Sequence, residues 1–175
     1  VIALLLVLAA APPFPVAPGD FWDYRETYAE HRGDVDVVTD EDTRFEMRGT
    51  PGRPLVVQTG GVDPAGAAPI EIGEDWIRLG PWTGEEALPL PLAVGARRPA
   101  DDEGRAGWVV EATEEVSVPA GRFTALRCAL RTWRSESVLW IVPDVGVVRE
   151  TQGSPGRRPE IERVLLRAST LRAGP

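Results

Sequence analysis

The side chains that could carry chemistry are few, and their spacing keeps them apart. His31, the single histidine, stands in Glu30-His31-Arg32-Gly33, and Cys128, the single cysteine, lies far along the chain. A histidine acting as general base or metal ligand needs partners within reach, and no second His or Cys occurs at ligand spacing. His31 is therefore expected as a solvent-exposed residue of the first hairpin turn. Cys128 alternates with Leu126 and Leu130. Residues i, i+2 and i+4 of a strand share one face, which sends the thiol inward beside the two leucines. A buried thiol behaves as a small hydrophobe, and a nucleophilic one needs a neighbouring base.

The acids give no better catalytic constellation. Asp34, Asp36, Asp40, Glu41 and Asp42 form a cluster of hard oxygen donors, but without the alternating Asp-x-Asp-x-Asp-Gly spacing of a calcium loop. They read as a solvated strand edge, where charge discourages sheet-to-sheet association. Glu114 and Glu115 have no partner acid, and the chain contains no Gly-x-Ser-x-Gly elbow, phosphate loop or dinucleotide glycine pattern. No catalytic residue, metal or cofactor is expected, and the chain reads as non-enzymatic.

Composition narrows the field further. All 19 basic residues are arginine, with no lysine and no asparagine. Schiff-base chemistry, a phosphate-loop lysine and Asn-linked glycosylation are thereby excluded. A net charge of −8 repels a phosphate backbone, and no basic stripe stands against it, so nucleic acid is not an expected partner. The six tryptophans are more informative. Trp22, Trp76, Trp108, Trp133 and Trp140 fall on expected strands, where core packing accounts for most of them. Trp133 shares its face with Phe123, Arg127 and Arg131. An aromatic flanked by arginines on a concave sheet could hold an apolar ligand with an acidic head. Trp133, Arg127, Arg131, Phe123 and Trp140 are the candidate ligand-binding residues.

The elements that must position these residues are strands. The 18 glycines and 17 prolines suit short strands joined by many turns. Segments 20–28, 34–39, 43–48, 54–59, 70–79, 107–113, 116–118, 123–133, 138–142, 147–151 and 160–168 read as strands. Pro119-Ala120-Gly121 and Pro143 to Gly146 are the clearest turns. Residues 60–68 and 80–104 read as irregular, with one helical turn at 83–88. The expected fold is mainly β with little helix: a single curved antiparallel sheet, an open or half barrel of roughly eight to ten strands. Residues 1–11 are uniformly apolar and run into Pro12-Pro13, the pattern of a secretory leader, and fall short of the about 20 residues of a membrane span. The expected layout is a leader and Pro-rich linker over 1–17, one β domain over 18–170 and a tail over 171–175, in an extracytoplasmic protein.

Four segments carry a resemblance: Pro15 to Tyr24, Leu88 to Gly95, Val116 to Cys128 and Leu139 to Arg149. Together they resemble a family of exported bacterial proteins related to TapB-like domains, and are similar to the LolA and LppX half-barrel lipoprotein carriers. The resemblance implies a curved antiparallel sheet and carries over no catalytic residue. From it, and from the leader and the missing catalytic groups, the leading expectation is an exported binding module holding a lipid or other apolar molecule on its concave face. The alternative is a structural or protein-interaction domain of the cell envelope. Expected partners are thus an apolar small molecule or an envelope protein, with membrane contact only through the leader.

Overall fold

The computed structural model describes residues 14–15, 17–32, 35–50, 52–61, 66–100 and 106–171. Twelve strands follow in chain order. They are β1 (Phe21–Arg32), β2 (Val35–Thr50), β3 (Arg53–Gly60), β4 (Ala67–Ile72), β5 (Trp76–Leu79), β6 (Leu88–Pro89), β7 (Arg97–Pro99), β8 (Gly107–Val118), β9 (Gly121–Arg131), β10 (Glu136–Val142), β11 (Gly146–Gly153) and β12 (Ile161–Ala168). They form one antiparallel sheet in the order β6-β5-β4-β3-β2-β1-β12-β11-β10-β9-β8-β7. Every neighbour in that order is a sequence neighbour except β1 and β12, whose pairing from Trp22–Ala168 to Tyr28–Ile161 joins the two arms. The two edges, β6 and β7, are consecutive in the chain, so the sheet curls toward its own beginning. The link between them lies along β8, with Gly95 N donating to Val110 O and Val110 N to Ala96 O. The result is a nearly closed barrel.

Curvature is placed by local irregularities. Register shifts occur at Asp23/Tyr24 against β12, at Trp140/Ile141 against β11 and at Val110/Ala112 against β9. An extra residue on one strand sharpens its twist and bends it, which lets a sheet this wide close on itself.

Residues directly opposite one another across a ladder share a face. One inward row can therefore be followed through six strands: Val110, Cys128, Leu139, Glu150, Arg163 and Glu26. All six are buried. Above that row, toward the start of β1, the interior is aromatic. Phe14, Trp22, Tyr24, Phe45 and Trp82 pack ring against ring at centroid distances of 4.9 to 6.4 Å. Polar ends find partners: Trp22 Nε1 donates to Val145 O and Tyr24 Oη to Val147 O, each at 2.6 Å.

Several expectations change. The strand count is twelve rather than eight to ten, and the barrel is nearly closed rather than half open. Segment 70–79 is a hairpin, broken at Gly73, whose amide donates to Trp76 O. Segments 34–39 and 43–48 are one strand, as are 107–113 and 116–118, because a polar residue on the solvent face does not interrupt a ladder. The irregular region 80–104 holds β6 and β7. It also holds Trp82, which enters the core from the turn after β5. There Leu79 N donates to Thr83 Oγ1 and Gly84 N to Gly80 O, a turn over 80–85 that starts before the helical turn expected at 83–88, whose last residue lies in β6. Phe14, assigned to the leader and linker, belongs to the folded domain, since its ring is buried between Trp22 and Trp82. Trp133 follows the end of β9 instead of lying on it. His31 pairs with Asp36 inside the first hairpin ladder rather than in its turn. Residues 101–104 of the stretch expected to be irregular, and almost all of the expected tail, 172–175, lie outside the described residues.

Candidate functional site: a plugged interior, an ionic belt and a notch in the wall

The predicted ligand residues divide into three places. Arg127, on β9, lies opposite Trp140 on β10, which lies opposite Arg149 on β11. This row is one residue out of step with the inward Cys128 row, so it faces away from the barrel axis. The two guanidinium groups sit 5.8 and 4.8 Å from the Trp140 ring centroid, a cation–π sandwich that leaves the ring 8% exposed. The Trp140 indole donates to Glu114, Arg127 pairs with Glu111, and Arg131 bridges Glu111 and Glu136. Burial, then the charge of Arg131, hold Arg127 below its ordinary pKa. Arg127, Arg131 and Trp140 are thus brought together, as an outward ionic belt rather than a concave site. Phe123 stands apart, opposite Val116 and half-buried. Trp133 is also apart, 82% exposed in the turn between β9 and β10.

Cys128 is inward, as its alternation with Leu126 and Leu130 requires. Burial pushes its thiol up to about 12, which favours the protonated form at neutral pH. Among the described residues no three His, Cys, Asp or Glu side chains gather as metal ligands.

The interior carries charge that alternation alone did not single out. Arg163 donates from Nε to Glu26 at 2.8 Å and from Nη1 to Glu150 at 2.9 Å, and all three side chains are buried. Thr43 donates to Glu26, and Gln152 donates to Glu150. Burial raises the Glu150 pKa above the ordinary carboxylate value, against the pull of Arg163. Arg163 itself would be lowered by burial, but Glu150 and Glu26 outweigh this and hold it above its usual value. Two carboxylates share one guanidinium, and the fork geometry of Arg serves both. The signal was present in sequence: Glu26 is in phase with Trp22 and Tyr24, and Arg163 with Leu165. The partners, however, are brought together only by the β1–β12 pairing.

The wall offers the largest groove described. The β3–β4 ladder consists of three pairs, Leu55–Pro69, Val56–Ala68 and Val57–Ala67. Beyond Leu55 the strands part. Pro54 and Arg53 stay with β2, while Ile70 to Ile72 stay with β5. The fork lies where prolines occupy both strands. Neither Pro54 nor Pro69 has an N–H to offer across the gap, so the ladder loses its donors there. The opening is a notch of about 720 Å³ lined by Gly49, Pro54, Leu55, Pro69, Ile70 and Ile72 together with the charged Arg53 and Glu71. Glu71 pairs with Arg78. Ile72 is 47% exposed, which is unusual for an isoleucine in a wall otherwise turned inward. A smaller groove of about 360 Å³ lies at the belt's edge, between Arg97 on β7 and Arg131, over a floor of Gly107, Val109 and Ala129.

No protein-family model matches the chain, and no curated protein does. Among solved structures it is similar to a protein of YmcC-like fold from Bacteroides fragilis, described as exported. The TM-score is 0.53 at 17% identity, covering 89% of this chain and 98% of that one. A protein from Parabacteroides distasonis, described as a lipoprotein, aligns with a TM-score of 0.47 and 18% identity over 89% of this chain and 97% of its own. The first likeness shows a shared fold. The link drawn from residues 15–24, 88–95, 116–128 and 139–149 therefore stands at the level of a barrel of YmcC-like type, and the TapB-like name gains no support from it.

Proposed function

We propose that this chain is an exported, non-enzymatic binding module whose ligand site is the apolar notch between β3 and β4. The observation that carries this reading is the notch itself: its volume of about 720 Å³ falls within the span of about 300 to 1,000 Å³ usual for small-molecule sites. Its lining is largely aliphatic, with Arg53 and Glu71 as its two charged residues. The reading moves the apolar ligand expected on the concave face to the wall, because rings in contact occupy the axis where a hollow carrier would hold its cargo. Export is supported by the apolar run at residues 1–11 and by the exported description of the protein of like fold. The non-enzymatic reading is supported by the protonated Cys128 and by acids already engaged in ion pairs.

The test is native mass spectrometry of the chain purified without detergent from a bacterial periplasm. A stoichiometric apolar adduct is expected, and Ile72→Arg should abolish it without unfolding the barrel. A clean mass that stays clean after incubation with membrane lipids overturns the reading. The plugged interior would then favour the second one, a protein-interaction domain whose notch receives an apolar side chain of an envelope partner.

A further inference from the structure

The end of the barrel away from the Phe14–Trp22–Trp82 cluster carries a feature that neither the notch nor the belt uses. Trp133 is the most exposed large hydrophobic side chain among the described residues, at 82%. It sits on a fixed post. Thr132 Oγ1 accepts hydrogen bonds from Arg134 N and Ser135 N, Thr132 N donates to Ser135 O, and Arg131 pairs with Glu136 at the foot of the turn. The Arg134 guanidinium lies 3.9 Å from the Trp133 ring centroid, so the aromatic and the cation are presented as one unit. The turn between β11 and β12 stands beside it: Arg134, Ser135, Gln152, Ser154 and Glu160 line one shared groove. That second turn exposes Arg157 and Arg158. None of Arg134, Arg157 and Arg158 has an ion pair among the described residues; Glu30 and Glu160 line a groove with Arg157 and Arg158, and Glu136 is held by Arg131.

We propose that this rim docks the protein on an anionic lipid bilayer. Tryptophan, apolar at one side and a hydrogen-bond donor at the other, favours the headgroup level of a membrane, and unpaired arginines are drawn to anionic headgroups there. A chain of net charge −8 is repelled as a whole by such a surface, so the three arginines gathered beside Trp133 also set its orientation. The rim is built from the β9–β10 and β11–β12 turns, at the other end of the barrel from the β2–β3 turn beside the notch, and leaves that groove open. This proposal is independent of the ligand reading.

The experiment mixes the full chain with vesicles of phosphatidylcholine alone or with phosphatidylglycerol, and follows cosedimentation and tryptophan emission. Using the full chain throughout makes the apolar residues 1–11 common to every variant. Binding to the phosphatidylglycerol vesicles is expected, with a blue shift and strong weakening by salt. Trp133→Ser should weaken binding about tenfold or more, and Arg157→Gln with Arg158→Gln by about fivefold for each arginine removed. Equal binding to both vesicle types, or binding untouched by these variants, overturns the proposal. So does Trp133-dependent capture by an immobilised acidic peptide in the absence of vesicle binding, which would make the rim a protein contact.

Discussion

The two halves of the barrel interior are filled by opposite chemistries. Near the start of β1, Phe14, Trp22, Tyr24, Phe45 and Trp82 fill the axis with rings. Midway along it, Glu26, Arg163 and Glu150 fill it with charge. The first half is held by area removed from water and close packing, which act without direction and tolerate no void. The second is held by geometry. Buried ions recover their desolvation only when every donor and acceptor is met, and an unmatched one is worse than an apolar residue. A closed sheet can therefore be plugged in two ways, and the two plugs should fail differently.

The aromatic plug sets the largest expected effect. Trp82→Ala opens a cavity among four rings and should cost about 3 to 5 kcal/mol, read as the shift in denaturant midpoint. A loss below about 1 kcal/mol would show that Trp82 is not a core residue. The ionic plug should give a matching loss when its centre is removed but not when one arm is neutralised. Arg163→Met leaves two buried carboxylates unpaired and should cost about 3 to 5 kcal/mol, whereas Glu150→Gln keeps the shape, accepts from Arg163 and donates to a Gln152 amide turned to accept, and should cost under about 1 kcal/mol. Equal losses in the two variants would contradict the arrangement.

The same variant sharpens the comparison through pH. Glu150 has a folded pKa above its unfolded value of 4.5. Its ionised form therefore opposes folding above that raised pKa, and the penalty is relieved as pH falls from there toward 4.5. Wild type should gain stability relative to Glu150→Gln across that window, measured as the difference in Tm at each pH. Asp23, on the outer face, should behave in the reverse sense. The hydrogen bond from Arg44 holds its pKa below 3.8, against burial and with help from Arg167, so its stabilising share is present above 3.8 and lost as pH falls through the lowered value. Smaller still is the effect at the rim: Trp133→Ser should leave stability within about 0.5 kcal/mol, because no packing is lost at an exposed turn.

The part of this fold most legible in sequence was the run from β8 to β11, where Pro119 to Gly121 and Pro143 to Gly146 mark the turns and alternation turns Cys128 inward. Turn residues and period-2 patterning are local, and a local signal survives in one sequence. The plugs were not legible for the complementary reason. Trp82 enters from a loop, where no period reports direction, and Phe14 looked like the end of a leader. Arg163 meets Glu26 across 137 positions, a juxtaposition fixed by which strands pair rather than by either neighbourhood. Arg127, Arg131 and Trp140, expected on a concave face, lie on the outer one, which the alternation that turns Cys128 inward already required of Arg127 and Arg131. The notch had a readable cue in Pro54 and Pro69, whose missing donors end the ladder between β3 and β4.

Rings fill the axis of this barrel, and the proposed site for an apolar ligand is the wall. That placement is tested most directly by titrating the folded chain with a medium-chain fatty acid while following side-chain methyl and indole N–H resonances by NMR. The account predicts saturable shifts at Leu55, Ile70 and Ile72, with the Trp22 and Trp82 indoles unmoved. Shifts concentrated on Trp22 and Trp82, with Leu55 and Ile72 silent, would place the ligand on the axis and contradict it.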